Sequence, residues 1–507
     1  MSSPIREVVI VGGGTAGWMM AAAAARFLDD GRRRITLVES EAIGAVGVGE
    51  ATIPPIRDFL AHLGIPEPEF IAATNATMKL GIEFHGWGAP GGRYVHPFGE
   101  QGRPFSGVDF HMAWLKHRDA EGVGGIEDYW PAAVAARDAR FAPPSADPSS
   151  PLSQLAYAYH FDAGLFAAYL RRRAEAGGVV RVEGRIAGVD RDGETGHVAR
   201  LRLDDGRTVS GELFIDCSGF RSLSLGEAMA VPFRDWTRWL PCDRAMAVPS
   251  ERRDPLAPLT RATAHDAGWR WRIPLQHRTG NGLVYASARL CDDEAAARLL
   301  AGLDSPATDD PRLISFRTGR RERLWEGNVV ALGLAGGFLE PLESTSIHLI
   351  QSGIQKLFAL FPDTGFAPIL RIEYNRLMSA QYDAVRDFVI LHYHANGRVG
   401  EPFWDDLRAM DPPDTLAARL ALFREKGRVF RYDDDLFSVA SWVAVLIGQG
   451  ILPAGYDPLV DSLDDARVLD AMRGLRATYL HAAGKMPGHA AWLASLTAPK
   501  ARAAGSP

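Results

Sequence analysis

The chain has 507 residues, 56 lysines and arginines against 62 aspartates and glutamates, and a formal net charge of −6. With 47% hydrophobic and 23% charged residues the composition is that of a globular protein, which excludes wholesale disorder, collagen and coiled coil. The slight acidic surplus argues against nucleic acid or an anionic membrane as the main partner. Such a length corresponds to about three domain-sized units, or to one large α/β domain with insertions.

The chain opens on a strand, Val8–Val11, with no apolar signal segment before it. No apolar run approaches the ~18 residues of a membrane span. The cysteines, Cys217, Cys242 and Cys291, are odd in number and include no C-x-x-C pair, so neither a zinc knuckle nor a disulfide framework is expected. Together these features predict a cytoplasmic protein without metal.

After the strand, Gly12-Gly13-Gly14-Thr15-Ala16-Gly17 forms a tight turn, and Trp18–Leu28 is an alanine-rich helix closed by Asp29-Asp30-Gly31. Ile35–Val38 is the next buried strand, so the N-terminus is a βαβ unit on a parallel sheet. Pro143 to Pro151 is a proline- and serine-rich loop. Val198–Leu203, Thr208–Val209 and Leu213–Asp216 are expected strands. From Pro362 onward the pattern is mostly helical. Leu436, Val439, Val443 and Leu446 share one helix face, with Asp433–Asp435 as the expected N-cap. The tail beyond Leu496 is expected to be disordered.

The glycine turn matches G-x-G-x-x-G in the one context that gives this pattern meaning. It lies between a strand and a helix, with Glu39 standing 22 residues beyond Gly17 at the end of the next strand. Gly12 permits the turn and Gly14 lets backbone N–H groups approach a pyrophosphate. Gly17 lets helix and strand pack closely, while the helix N-terminus favours the anion. Two later segments, Phe214–Gly219 and Val329–Gly333, also run from an apolar strand into glycine. Three strand ends returning to one nucleotide across roughly 300 residues point to a glutathione-reductase-type FAD-binding fold.

Five stretches then carry a resemblance: GGGTAGW at Gly12–Trp18, GVGEATIP at Gly47–Pro54, the region of Lys79 in Ala76–Gly81, WRWRIP at Trp269–Pro274, and EPLEST at Glu340–Thr345. With these the chain resembles the flavin-dependent tryptophan-halogenase family, from its N-terminus to about residue 460. The resemblance implies an α/β core over 1–360, with inserted substrate-side segments at about 80–160 and 225–320. It further implies a mostly helical substrate-binding region over 361–496, and a disordered tail over 497–507. The implied chemistry uses FAD, delivered as FADH2 by a separate NAD(P)H-dependent flavin reductase, together with O2 and bromide or chloride. Hypohalous acid forms beside the flavin and travels to a lysine next to a small aromatic substrate. The resemblance leaves room for a homodimer.

Residue by residue, the resemblance implies FAD contacts at Gly12, Gly14, Thr15, Ala16, Gly17, Glu39, Glu50, Ala51, Ile186, Leu334 and Ile347. Lys79 would present the halogen, either as a haloamine or as an ammonium hydrogen-bonded to hypohalous acid, and Glu343 would face it and stabilise the arenium cation. Otherwise Lys79 is a surface lysine in an ion pair and Glu343 a helix-start acid. Thr345 and Ser346 would hold the halide, Ser346 standing where the family has glycine, or would simply cap the following helix. Trp269 and Trp271 would wall flavin from substrate, and His96 and Phe98 would stack on the arene. His392 and His394, read as one strand face, lack partners for a metal site.

One departure bears on substrate. Where tryptophan halogenases carry a tyrosine pair that holds the amino-acid part, this chain has Ser441-Trp442. That resembles a branch preferring free indole and small electron-rich arenes. Two alternatives remain: a flavin-dependent monooxygenase that hydroxylates, and a non-catalytic FAD-fold binding protein.

Overall fold

The computed structural model describes residues 3–43, 49–89, 91–432 and 435–497. Strand Glu7–Val11, buried from Val8 onward, sits in a six-stranded sheet ordered Trp325–Glu326, Val329–Ala331, Leu213–Asp216, Glu7–Val11, Arg34–Glu39, Val180–Glu183. All pairings are parallel except that of the Trp325–Glu326 edge. The three segments expected to return to one nucleotide are therefore adjacent strands. Helix Thr15–Phe27 starts at the glycine turn itself, three residues before the expected Trp18. It packs against the Ala163–Ala176 and Ser346–Ala359 helices.

A second sheet of seven strands is ordered Arg312–Ser315, Arg244–Glu251, Arg278–Tyr285, Gly268–Pro274, Thr260–His265, Gly81–His85, Arg93–Pro97. Only the Thr260–His265/Gly81–His85 pair is parallel. A small antiparallel sheet has strands from both sides of the Gly81–His85 and Arg93–Pro97 pair in sequence. Ala158–Asp162 is its centre, with Gly49–Ala51 on one side and Thr77–Lys79 on the other.

The C-terminal helices cover the second sheet. Helix Val439–Gly448 lies on the Arg93–Pro97 strand, close enough that a Cβ on Gly448 would stand 2.5 Å from the Tyr94 ring. Helix Asp465–Gly484 packs on the Pro131–Arg137 helix. Beyond it His489, fully buried, accepts the Met78 N–H at 3.0 Å and bonds the Leu256 carbonyl at 3.0 Å. Burial holds its imidazole down at about 4, as an Nε2 acceptor requires. The last described helix thus pins the residue before Lys79.

Two local expectations are corrected. The cap of the Val439–Gly448 helix is Ser438, whose hydroxyl accepts the Ser441 N–H. Asp433 and Asp434 lie outside the described residues, and Asp435 is buried against Arg419 at 2.5 Å, so it is engaged away from the helix end. His392 and His394 end a long helix, Pro368–His394, and do not share a strand. The preceding 20 residues already have helical spacing and continue through them. The last helix reaches Thr497, and residues 498–507 lie outside the described set. Among the described residues no helix is long and apolar enough to cross a membrane.

Candidate active site

At the nucleotide end the groups on offer are mostly backbone. Gly12 has φ +108°, a conformation that favours glycine, and a Cβ there would meet the Cys217 carbonyl oxygen at 2.6 Å. A Cβ on Gly17 would meet the Gly12 carbonyl oxygen at 1.9 Å. Gly14 faces open space, with nothing within 4 Å of its would-be Cβ. Thr15 and Ala16 form the first turn of the helix, so its unpaired N–H groups point into that space. The Glu39 carboxylate reaches back over Gly13, where a Cβ would fall 1.5 Å from its Oε2, and takes a 2.6 Å bond from Arg181. This cradle, open in front of a helix N-terminus and rimmed by an acid, fits a dinucleotide pyrophosphate and its ribose.

Later segments close on the same place. Gly333 (φ +61°) stands against Ala16 and Ile350. The next residue, Leu334, is the partly exposed tip of a short turn, and Ile347 is buried in the first turn of the Ser346–Ala359 helix. Ile186 is buried in the small core that also holds Val11 and Val38. Glu50 and Ala51 lie further along, on the strand that pairs with Ala158–Asp162. Burial pushes the Glu50 carboxyl up to about 7, although part of its surface stays accessible.

The central strand of the small sheet links the two ends, since its other neighbour carries Lys79, opposite Ala158. Lys79 is fully buried, which overturns the surface-lysine alternative. Its ammonium donates to the Thr52 carbonyl at 3.0 Å and the Ser344 hydroxyl at 2.8 Å, and stands 5.1 Å from the centre of the Phe98 ring. Burial lowers its pKa to about 7, against the opposing pull of the Glu343 charge.

Glu343, 1% exposed, closes the short turn Pro341–Glu343, and Ser344 follows in the left-handed region at φ +59°. That reversal sends Ser344 to the lysine and Glu343 to two imidazoles. The Oε2 atom is hydrogen-bonded to His96 Nδ1 at 2.9 Å, and Oε1 contacts His392 Nε2 at 2.7 Å, off the line of a well-aligned hydrogen bond. Burial alone would raise this carboxyl. The two histidines outweigh it and hold Glu343 at about 2, so the group is a carboxylate.

A buried chain orients the second imidazole. The Gln449 amide donates to the Tyr94 oxygen at 3.1 Å, and Tyr94 O–H meets His392 Nδ1 at 3.0 Å. The network thus places the His392 proton on Nε2, facing Glu343. Burial keeps His392 neutral by lowering its pKa.

Around this pair the surfaces are aromatic. His96 lies 5.5 Å from Phe388 and 6.2 Å from Phe437, which stack on each other at 3.7 Å. Trp442 meets Phe388 edge-on at 4.9 Å. Trp269 and Trp271 share the buried face of strand Gly268–Pro274, 6.1 Å apart. Trp271 lies over Gly282, where a Cβ would be 1.9 Å from its ring. A Cβ on Gly49 would stand 3.4 Å from Ile273 on the same strand, and the Thr77 hydroxyl donates to the Pro274 carbonyl at 2.7 Å, so the strand of Glu50 and the strand of Lys79 both abut the tryptophan strand.

Thr345 and Ser346 open the Ser346–Ala359 helix. Thr345 makes no capping bond, and its buried hydroxyl has no partner among the described residues. That removes simple capping as its reason and leaves a free donor at a helix N-terminus.

The structure therefore gathers Lys79, Glu343, His96 and Phe98 at one end and the glycine-turn residues at the other. Sequence reasoning missed Thr52, Ser344, His392, Tyr94, Gln449, Phe388 and Phe437. His392 had a usable signal, four residues after Phe388 on one helix face. The contacts of Thr52 and Ser344 depend on fold register and had none. Among the described residues no group of three or more His, Cys, Asp or Glu side chains could hold a metal ion.

Known proteins resemble this chain along most of its length. The tryptophan halogenase family model matches residues 7–465. The structure of BrvH, a flavin-dependent halogenase from Brevundimonas sp. BAL3, superposes with a TM-score of 0.93 at 48% identity, covering 97% of this chain and 99% of that one. Xcc4156, a flavin-dependent halogenase from Xanthomonas campestris, gives 0.93 at 46% identity over 97% and 98% of the two chains. The tryptophan 6-halogenase SttH from Streptomyces toxytricini is 36% identical over 463 residues, 86% of this chain and 88% of the relative.

Proposed function

As the chain belongs to the tryptophan halogenase family, a family of flavin-dependent enzymes that halogenate aromatic substrates, we propose that it halogenates an indole-like arene at Lys79 with hypohalous acid made beside FAD. The observation that carries this reading is the pairing of a buried lysine held near 7 with a buried carboxylate held near 2, among aromatic walls.

The glycine cradle would bind the FAD pyrophosphate, with Glu39 at the ribose and Glu50, Ala51, Ile186, Leu334 and Ile347 along the rest. Bound as FADH2, the cofactor supplies activation of O2 and oxidation of the halide. Thr345 and Ser346 hold the halide by a free hydroxyl and helix N–H groups. Trp269 and Trp271 separate the flavin side from the substrate side, so that oxygen is not transferred directly to the arene.

Lys79 receives the hypohalous acid. Its lowered pKa makes the neutral amine available near pH 7, the form needed for a haloamine. His96 and Phe98 lie against the arene. The Glu343 carboxylate opposes the positive charge that grows on the ring during substitution, and His392 keeps that carboxylate in place. The Ser441 side chain interacts with its own helix cap and Trp442 is buried against Phe388, so neither offers an anchor for an amino-acid backbone.

Incubation with a flavin reductase, FAD, NADH and either bromide or chloride over an arene panel, read by mass spectrometry, tests the reading. Halide-dependent mass gain on indole-like arenes is expected. A hydroxylated product without halide dependence would make the protein a monooxygenase, and no product with FAD retained would make it a binding protein.

A further inference from the structure

The loop that carries Glu343 also carries a second buried carboxylate for which the reaction above has no use. Glu340 is completely inaccessible. Its Oε2 accepts two hydrogen bonds, from the Trp269 indole N–H at 2.9 Å and from the Tyr393 hydroxyl at 2.5 Å. Its Oε1 is buried with no partner among the described residues. Taking a carboxylate out of water is unfavourable unless its bonds are remade, and here only one oxygen is satisfied. Burial pushes the group up to about 7, against those two hydrogen bonds. An apolar side chain would pack among these rings with no such penalty, so the carboxylate calls for a reason beyond filling space.

The surroundings suggest that reason. Trp269 lies in a layer of rings that includes Trp87 at 6.3 Å and Trp271 at 6.1 Å, and Trp87 in turn touches Tyr393 and Trp404. Ring packing alone leaves an indole free to slide or turn over. A hydrogen bond at its single polar atom fixes which edge faces which way. Glu340 and Glu343 stand three residues apart on one tight turn and are met by consecutive residues of one helix, Tyr393 and His392. The Cys242 thiol backs the Tyr393 hydroxyl at 3.8 Å.

We propose that Glu340 is the positioning residue of the tryptophan wall: it locks the Trp269 indole and, through Tyr393, ties the wall to the helix that also holds Glu343. Wall and carboxylate are thereby held in one register, so that oxidised halide passes to Lys79 without escaping. The proposal rests on the halogenase reading for its consequence but not for its geometry.

The test uses the full chain as wild type and as Glu340→Gln, Glu340→Leu and Tyr393→Phe. The first readout needs no cofactor. In protein labelled with ¹⁵N-tryptophan, the Trp269 indole N–H signal, assigned by its loss in Trp269→Phe, should lie downfield in the wild type. It should move upfield in Glu340→Gln and further in Glu340→Leu, and it should shift in Tyr393→Phe because the shared acceptor atom loses its second donor. The second readout is coupling: brominated indole formed per hydrogen peroxide and bulk-trapped hypobromous acid released, in the reductase-fed reaction with bromide. Glu340→Leu should lower this ratio about tenfold, the upper scale of one lost hydrogen bond, and Glu340→Gln should restore most of it.

A signal that stays put in both Glu340→Gln and Tyr393→Phe overturns the proposal even if Glu340→Leu fails to fold. So does a coupling ratio that is unchanged in a folded Glu340→Leu whose melting temperature alone falls. Wild-type protein that makes no halogenated arene would instead count against the halogenase reading, and the indole signal would still decide the role of Glu340.

Discussion

At the Gly12–Gly17 turn the groups offered to a ligand are backbone N–H groups from one short stretch. At Lys79 they are the Thr52 carbonyl and side chains drawn from positions as distant as His96, Glu343, His392 and Gln449. The nucleotide end holds its shape because three glycines admit no Cβ without collision or strain, or leave room for a phosphate. The arene end holds its shape through side-chain contacts that cross the fold, Lys79 to Ser344, His96 to Glu343 and Tyr94 to His392. Binding a ligand common to many proteins needs only geometry that a local motif can encode. Placing a reactive halogen needs charges buried at a set distance from one another, and that takes the whole fold.

If the ends are separate in this way, each can be broken alone. Gly12→Ala should strike the nucleotide end. Its Cβ would meet the Cys217 carbonyl oxygen at φ +108°, and backbone strain of this kind costs about 1–3 kcal/mol, enough to weaken FAD binding by up to ~100-fold. Equilibrium dialysis with FAD would show it, while indole affinity stays near wild type; unchanged FAD affinity would refute the role given to this turn.

His392→Leu strikes the other end. It removes one of the two imidazoles that hold Glu343. A hydrogen bond to a charged group is worth ~1.5–3 kcal/mol and this contact lies off its line, so kcat should fall about tenfold with FAD affinity intact. A kcat within twofold of wild type would contradict it.

Substrate choice probes the arene end more gently. Free indole should exceed tryptophan in kcat/KM by about tenfold, because the charged contacts that would hold the amino-acid part are each worth ~1.5–3 kcal/mol and Ser441 and Trp442 supply none of them. A higher kcat/KM for tryptophan would point to an anchor elsewhere among the C-terminal helices.

The smallest effect concerns pH. Lys79 is held at about 7, below the ordinary lysine value, so the amine fraction grows as pH rises through 7. If a haloamine carries the halogen, single-turnover halogenation should rise between pH 6 and 8 and then level off. A fall over that range would identify the ammonium as the working form.

The same contrast explains what could be read in advance. The βαβ unit, the glycine turn, Glu39 and the later strands Leu213–Asp216 and Val329–Ala331 were legible because period, glycine spacing and strand-end punctuation are local. Lys79, Glu343, His96, Phe98, Trp269 and Trp271 were legible as members of motifs, but their burial and pairing were not. His392 was misplaced on a strand because four residues taken alone cannot separate the two periods, although Phe388 four positions earlier shares its helix face. The expected cap of the Val439–Gly448 helix differs for a related reason. Asp433–Asp435 and Ser438 are all good N-cap types, and only tertiary contacts, here Arg419 on Asp435, decide between them. Glu340 reads as part of a motif, and nothing in its spacing announces the Trp269 and Tyr393 contacts.

The central claim is that halogen reaches the arene through Lys79, at an end of the site distinct from the cofactor. Lys79→Ala, measured for FAD affinity and for halogenated indole in one preparation, tests it most directly. The account predicts wild-type FAD affinity, continued oxidation of FADH2, and a fall in halogenated product of about 10²–10⁴-fold, the scale of losing a positioned catalytic group. Full halogenation by that variant, or loss of FAD together with activity, would contradict it.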